Sequence, residues 1–503
     1  MIAPQPNLSL EYVMLSDFPI DPVSGNDAAW LRLDRPTNHM IITAMAITDP
    51  LSPSQFRQLI ERRFAHLHRF CCRPVVHSGV YLWEQMDDID ISRHIRHECL
   101  PPGAGKPELE HFVSSLQSLP LAPDRPLWEF ILLEGYEQQS VAIMRVHHCY
   151  ADGLALISIF AALTDDHQVV SAGGPDADDE AEIGRQSGAS GSTRRRTADR
   201  VKAGLEAVSH GVERVTHLNF RLSPERYRWL KAETLEGRGL QLLNSAAELA
   251  RLAALPRDPE TVMSQRLGEQ KRALWSSRLP LDDFKAVARQ FGASVNDVLL
   301  SCVAGGLGKY LAEHQSVDEH LELRATVPVN LRPSSQGQQD STVEKTAAQQ
   351  PDDEDDLLGN QFGTIFIPLA VGLRNRVERL YKTKHDMRAL KGSVQPMLSH
   401  IVIGATGLMP TMLQQPLMDA FSNKTSLVLS NVPGSKEQRF IAGSAVNELM
   451  FWVPQGGETG LGISLLSYNG FVQIGLLCDP HCVVFPQQLM KHICGELEEY
   501  LAA

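Results

Sequence analysis

Apolar and polar positions along this chain fall into strand-like and helix-like segments on either side of a long polar interval. Met40 to Thr48 (MIITAMAIT) is a continuous apolar run of the length and β-branched character of a buried strand. Pro53 to Phe64 reads as a helix, Val80 to Glu84 as extended, and Glu108 to Leu119 as a second helix. Trp128 to Leu133 and Val141 to Val146 are strand-like, and Gly153 leads into an apolar helix over Leu154 to Leu163. The alternation resumes near residue 270. Leu281 to Phe291 predicts a helix stopped by Gly292. Ser294-Val295-Asn296-Asp297 has the Ser-x-x-Asp pattern of a helix start. Leu323 to Val329, Thr364 to Leu369 and Ser426 to Ser430 read as strands, and Ile463 to Ser467 and Phe471 to Leu477 flank the hairpin signal Asn469-Gly470.

Two intervals break this pattern. Residues 171–200 hold almost no large apolar side chain and cannot bury a core, which predicts a linker. Residues 334–357 are polar and acidic and read as a surface loop. After the linker, Val201, Leu205, Val208, Val212 and Val215 recur at helical spacing, with Arg194, Arg195 and Arg196 just upstream. Leu240 to Leu255 is a further helix, stopped by Pro256. The expected organisation is two α/β halves, 1–165 and 259–503, joined by a linker and helical connector over 166–258.

Composition removes some functions. A chain of 503 residues has a prior of about three domains, and two large ones also fit. A net charge of −13 and a pI near 5.8 argue against a nucleic-acid partner. The eight cysteines form no CxxC pair and no zinc spacing, so they read as reduced thiols of an intracellular protein. The first residues lack the charged and apolar regions of a signal peptide. The stretch from Phe362 to Leu373 is too short for a membrane span of about 20 residues. The expectation is a soluble or peripheral cytoplasmic protein.

Candidate chemistry concentrates in residues 147–153, His147-His148-Cys149-Tyr150-Ala151-Asp152-Gly153. An apolar run delivers two imidazoles to a strand end, and histidine is the side chain whose unperturbed pKa suits proton transfer near neutrality. Successive strand residues point to opposite faces, so the two rings should not share one role. His148 is expected to face the cleft and His147 to point inward. A metal on His148 and Asp152 lacks further ligands for zinc. A nucleophilic Cys149 is poorly placed beside its own sequence neighbour. No Gly-x-Ser-x-Gly elbow occurs, and Gly308-Lys309-Tyr310 lacks the rest of a P-loop.

The HHxxxDG pattern resembles the signature of the CoA-dependent acyltransferase superfamily, which includes chloramphenicol acetyltransferases and peptide-synthetase condensation domains. Pro126-Leu127-Trp128, Asn296-Asp297 and Ser430-Asn431-Val432-Pro433-Gly434 narrow the resemblance to the bacterial wax ester synthase/diacylglycerol acyltransferase family. Smaller echoes are Trp30-Leu31-Arg32-Leu33, Asn38-His39-Met40, Val327-Pro328-Val329-Asn330, Gly359-Asn360 and Ser467-Tyr468-Asn469-Gly470. Departures are the polar linker, the acidic insertion between Arg332 and Gly359, and Ser435 where proline is usual.

The resemblance implies an α/β fold of two chloramphenicol-acetyltransferase-like domains, each a mixed sheet flanked by helices, with an active-site tunnel between them. It implies transfer of a fatty acyl group from acyl-CoA, a substrate and not a resident cofactor, to a long-chain alcohol or diacylglycerol. His148 would then be the general base, without a covalent intermediate. Asp152 would orient the site, through a salt bridge to a distant arginine. Asn296 is the candidate oxyanion donor, because a helix N-terminus collects partial positive charge; local capping is the competing role. Apolar substrates imply a membrane or lipid-droplet surface, for which the 201–216 helix is one candidate and packing between the halves the other. The basic run Arg374, Arg376, Arg379, Lys382, Lys384 suits either CoA phosphates or a solvated helix face. A lipid-binding homologue without activity, and a condensation-type enzyme with another acceptor, remain alternatives.

Overall fold

A computed structural model describes residues 20–166, 255–331 and 359–503, except 78, 87, 391, 392, 408 and 410–422. The polar linker with its three arginines, the helix expected over 201–216, nearly all of that over 240–255, and the acidic loop at 334–357 lie outside the described residues.

Two large sheets organise the rest. The first has six strands, in the order β13 (Phe440–Ile441), β14 (Ser444–Trp452), β2 (Ile41–Thr48), β7 (Gln139–His147), β6 (Trp128–Tyr136) and β5 (Ile95–Cys99). β2 and β7 pair antiparallel along their length, from Ile41 opposite His147 to Thr48 opposite Ser140. Only the outer pair β5–β6 is parallel. The second sheet runs β11 (Phe362–Leu369), β10 (Leu323–Asn330), β12 (Leu427–Pro433), β15 (Leu461–Tyr468), β16 (Phe471–Cys478) and β8 (Arg272–Trp275), with β9 (Leu279–Pro280) also on β16. Here β12 lies between two parallel neighbours, β10 and β15. A small sheet of β1 (Ile20–Pro22), β4 (Val80–Gln85) and β3 (Cys72–His77) lies beside the first.

The sheets do not respect the division at 165 and 259. β14 leaves the second half of the chain and pairs with β2, Leu449 opposite Ala46 and Phe451 opposite Ala44. At its end Trp452 is fully buried, its Nε1 donating to the carbonyl of Leu274 at 3.1 Å. The first core is therefore built from both halves: Trp275, Val432, Leu466 and Tyr468 pack with Ile42, Ile143 and Trp128.

The helices follow from local signals. Ser24 caps α1 (Gly25–Leu33) by accepting from the Asp27 N–H. Pro53 opens α2 (Pro53–Arg63), where its missing N–H leaves no bond unmade. α3 (Lys106–Gln117) packs on β8, and α4 (Gly153–Leu163) lies against α2. α5 (Leu281–Gln290) ends before Gly292, whose φ of +59° suits the left-handed stop expected there. α6 (Val295–His314) begins with a full capping box, Ser294 and Asp297 each satisfying the other's backbone N–H. It is buried along most of its length between the second sheet, α5, α7 (Arg376–Leu390) and α9 (Pro486–Leu501). α8 (Gln395–Gly407) packs on both α1 and β11, tying the halves together. The β15–β16 turn at Asn469-Gly470 has φ of +46° and +79°, as the hairpin signal requires.

Three members of the basic run at 374–384 are engaged within the protein. Arg379 is buried and bound to Glu496 and the Ser301 carbonyl, Arg376 pairs with Glu499, and Lys382 pairs with Glu322 and Asp386. The guanidinium of Arg379 answers a carboxylate buried on α9, which a one-dimensional charge pattern does not reveal. Among the described residues, no single helix is long and apolar enough to cross a membrane. All eight cysteines are unbridged.

Candidate active site

His147 is the last residue of β7, and the chain turns immediately afterwards. Its N–H donates to the Leu127 carbonyl at 3.0 Å, and the Tyr150 hydroxyl accepts from the Leu127 N–H at 3.1 Å. The Pro126-Leu127-Trp128 segment thus holds both ends of the turn. On the other side, the His148 N–H donates to the Met40 carbonyl at 2.7 Å.

The two imidazoles take different partners. His147 Nδ1 accepts from the Cys149 N–H at 3.2 Å, so its Nε2 carries the proton and donates to Asp34 at 3.2 Å. Asp34 also accepts from His39 and from the Met40 N–H, each at 3.0 Å. Burial favours the neutral acid, but the hydrogen bonds from His147 and His39 outweigh it and hold the Asp34 carboxyl well below its usual range.

His148 is buried and stacks on Trp30 of α1, ring centres 4.1 Å apart and planes at 18°, with Phe362 of β11 close by. Its Nδ1 lies 2.9 Å from Oδ1 of Asn360. Loss of water around the ring pushes its pKa down to about 4, although Asp152 and Asn360 pull the other way. The imidazole is therefore uncharged at neutral pH.

Asp152 accepts from the Ala155 N–H at 2.9 Å and from the Gln361 N–H at 3.0 Å. It caps the start of α4 with one oxygen and grips the second half of the chain with the other. The segment Gly359–Gln361 runs alongside the heptad, with Ala151 bridged to Gly359. Cys149 is fully buried, and burial pushes its thiol far up, which disfavours the thiolate that a nucleophile needs.

Asn296 lies in the first turn of α6, buried, with Oδ1 accepting from Asn431 Nδ2 at 3.3 Å. Capping belongs to Ser294 and Asp297, so Asn296 does not fill the competing role. The next residue along β12, Val432, stands 3.9 Å from where a side chain on Gly153 would begin. The Ser430–Gly434 segment thereby brings the start of α6 and the heptad to one place.

Beside this junction lies an apolar chamber of about 960 Å³. Its floor is one face of the first sheet, with Ile42, Ala44, Ala46, Phe130, Ala142, Met144, Leu449 and Phe451, and its roof is Phe56 and Leu59 of α2 with Leu156 and Phe160 of α4. Val432 and Pro433 close one side, and Lys285, Lys436 and Arg439 lie at the polar rim. The chamber reaches the heptad at Gly153; His148 is not among its lining residues. Its volume is near the top of the ~300–1,000 Å³ range of small-molecule sites.

Asp27, Arg69, Asp34 and Asn360 were not singled out by sequence as site residues. Only Asn360 carried a signal, as part of the Gly359-Asn360 echo. Among the described residues, the His, Cys, Asp and Glu side chains close enough to share an ion are His97, Cys99 and Glu134. They sit on β5 and β6, at the sheet edge away from β7, and the heptad is not part of the group.

Residues 23–299 match the family described as "Wax ester synthase/diacylglycerol acyltransferase catalytic domain", and residues 358–500 match "WS/DGAT C-terminal domain". A Mycobacterium tuberculosis protein named "Putative diacyglycerol O-acyltransferase" is 25% identical over 494 residues, covering 95% of each chain. A Mycobacterium bovis protein of the same name is 25% identical over 493 residues, covering 95% of this chain and 90% of its own. Among solved structures, the wax ester synthase/diacylglycerol acyltransferase from Marinobacter aquaeolei VT8 superposes with a TM-score of 0.63 at 20% identity, over 95% of this chain and 98% of that one. The trichothecene 15-O-acetyltransferase from Fusarium sporotrichioides superposes with a TM-score of 0.59 at 11% identity, over 96% and 95%. Both likenesses bear on the fold, and they agree with the expected pair of mixed sheets flanked by helices.

Proposed function

The chain belongs to the wax ester synthase/diacylglycerol acyltransferase family, acyl-CoA-dependent acyltransferases, and from that premise we propose that His148 is the general base of its reaction. The reaction is transfer of a long-chain acyl group from acyl-CoA to the hydroxyl of a fatty alcohol or diacylglycerol. The observation that carries this reading is an uncharged, buried imidazole in a heptad whose last residue, Gly153, lines an apolar chamber large enough for a fatty chain.

An alcohol is a poor nucleophile while it keeps its proton, and a positioned base typically contributes about 10²–10⁴-fold. His148 Nε2 takes the hydroxyl proton as the oxygen attacks the thioester carbonyl carbon. The carbonyl π electrons move onto oxygen, where the Asn296 amide donates; Asn431 occupies its Oδ1, which turns Nδ2 away from Asn431. Collapse of the intermediate breaks the C–S bond, and the sulfur leaves with the proton that His148 returns. The products are the ester and free CoA, no covalent enzyme species forms, and no cofactor enters the balance. His147 and Asp152 hold the turn and the start of α4, so their role is to position. The fatty chain of the acyl donor lies in the chamber, where each buried methylene contributes about 0.8 kcal/mol. An acceptor this apolar is met at a membrane or lipid-inclusion surface, and acyl-CoA makes the cytoplasmic side the place of reaction.

Release of free CoA from palmitoyl-CoA with hexadecanol tests the assignment. His148→Ala should lose nearly all turnover while retaining its fold by circular dichroism; near-wild-type turnover refutes the base. The same assay with a panel of alcohols and diacylglycerol identifies the acceptor.

A further inference from the structure

A base of this kind works through one ring nitrogen, and something must decide which one carries the proton. In this chain the ring meets two acceptors, its own backbone carbonyl and an amide oxygen from the other half of the sequence. Asn360 Nδ2 donates to Asp27 Oδ1 at 2.7 Å and to the carbonyl of His148 itself at 2.7 Å. With both amide hydrogens engaged there, Oδ1 is the atom that meets His148 Nδ1 at 2.9 Å. A carbonyl oxygen only accepts, so Nδ1 carries the proton, and a neutral ring then keeps its lone pair on Nε2.

We propose that Asn360 is a positioning residue that secures the Nδ1–H tautomer of His148, adding to the ring's bond with its own backbone carbonyl an acceptor that arrives only when the second half of the chain is docked on the heptad. The proposal rests on the reading of His148 as the general base. Asn360 is itself held at three levels. Asp27 of α1 fixes its amide and is ion-paired with Arg69, which also donates to the Cys149 carbonyl at 3.1 Å. The neighbouring backbone is clamped by Gly359 N–H to the Tyr150 carbonyl at 3.1 Å and by Gln361 N–H to Asp152. Gly359 has φ of +74°, a left-handed conformation that favours glycine, so the path of this backbone past the heptad depends on it. The charged or titratable groups around the ring are Asp152 and His147 from the heptad, Asp34 behind His147, and the Asp27–Arg69 pair behind Asn360.

The first test uses the unaltered full-length chain: ¹⁵N-histidine NMR, with the His148 signals assigned by comparison with His148→Gln. The expected result is a protonated Nδ1 and an unprotonated Nε2 at pH 7; a protonated Nε2 overturns the proposal without any variant having to fold. The second uses Asn360→Leu. It should lower kcat about 10- to 100-fold, the size of effect seen when a metal-ligating histidine loses its orienting partner, with KM for acyl-CoA unchanged and the single-tautomer NMR signature lost. Asn360→Asp places a second carboxylate against Asp27, and adding Asp27→Asn should recover part of the lost kcat. In that double variant the carboxylate favours the imidazolium, so the acid limb of the pH profile should move upward. An unchanged single tautomer in Asn360→Leu overturns the proposal, because the backbone carbonyl alone then selects it. If instead His148→Ala remains active, the general-base reading fails, while the NMR result still reports whether Asn360 selects the tautomer.

Discussion

On the first sheet, Ala44, Ala46 and Ala142 stand together on the face beneath α2 and α4, and the space above them stays open as the chamber. On the second sheet the small residues are the glycines of α6, and there they remove space. A side-chain carbon on Gly306 would lie 2.4 Å from Ile493 of α9, and one on Gly308 would lie 2.1 Å from the Val371 carbonyl. The same economy of side chain leaves a void under rigid helices in one place and lets neighbours close in completely in the other. What differs is whether the facing element can approach. Phe56, Leu59, Leu156 and Phe160 stand between α2, α4 and the first sheet, whereas Gly306 of α6 lets Ile493 of α9 pack directly on the helix backbone.

This contrast makes one region a binding surface and the other a scaffold, and Asn296 is the sharpest challenge to it. Although it belongs to α6, Asn296→Ala should lower kcat about 10²–10³-fold, the cost of removing one oxyanion donor, with acyl-CoA binding intact by calorimetry. If catalysis per folded molecule is unchanged, the second sheet contributes support alone. Next in size is Ala142→Phe, which fills the chamber from its floor. Displacing about four methylenes costs about 3 kcal/mol, so kcat/KM should fall about a hundredfold for palmitoyl-CoA and little for butyryl-CoA, with Tm nearly constant. Equal losses for both donors would separate the chamber from the reaction. Gly308→Ala should do the reverse, costing about 1–3 kcal/mol in urea unfolding through overpacking, with the chain-length preference unchanged.

The smallest effect is expected from mild acid. His148 has a folded pKa of about 4, below the unfolded value near 6.5. Between these values the unfolded chain binds the proton and the folded chain does not. Stability from this group is therefore complete above pH 6.5 and lost as pH falls through 4. Activity should stay level from neutrality downward and decline only near pH 4, and hydrogen exchange should report earlier loosening around the heptad than around α6. An acid limb near pH 6.5 would mean that the ring is not desolvated.

Much of this was legible in the sequence where the signal is local. The strands flanking Asn469-Gly470, the Ser294 cap, the Gly292 stop and the heptad each depend on a few adjacent residues. β14 was missed because its alternation states that a face is buried without stating against which strand, and its partner β2 lies some 400 positions earlier. β5 was missed because an edge strand with Arg96, His97 and Glu98 carries almost no apolar pattern. Arg379 was misread because its partner Glu496 is on another helix.

The sequence by itself determined the family, the mixed α/β class, and the placing of His148 at the end of a strand, since these follow from local motifs and their order along the chain. Folding alone brought Asn360, from 212 positions away, against Nδ1 of His148. It also decided that one sheet face stays open as a chamber while the other is closed. Periodicity specifies which face of an element is buried, but a ring's partner and a cavity depend on which distant atoms come to meet that face, and only packing sets that.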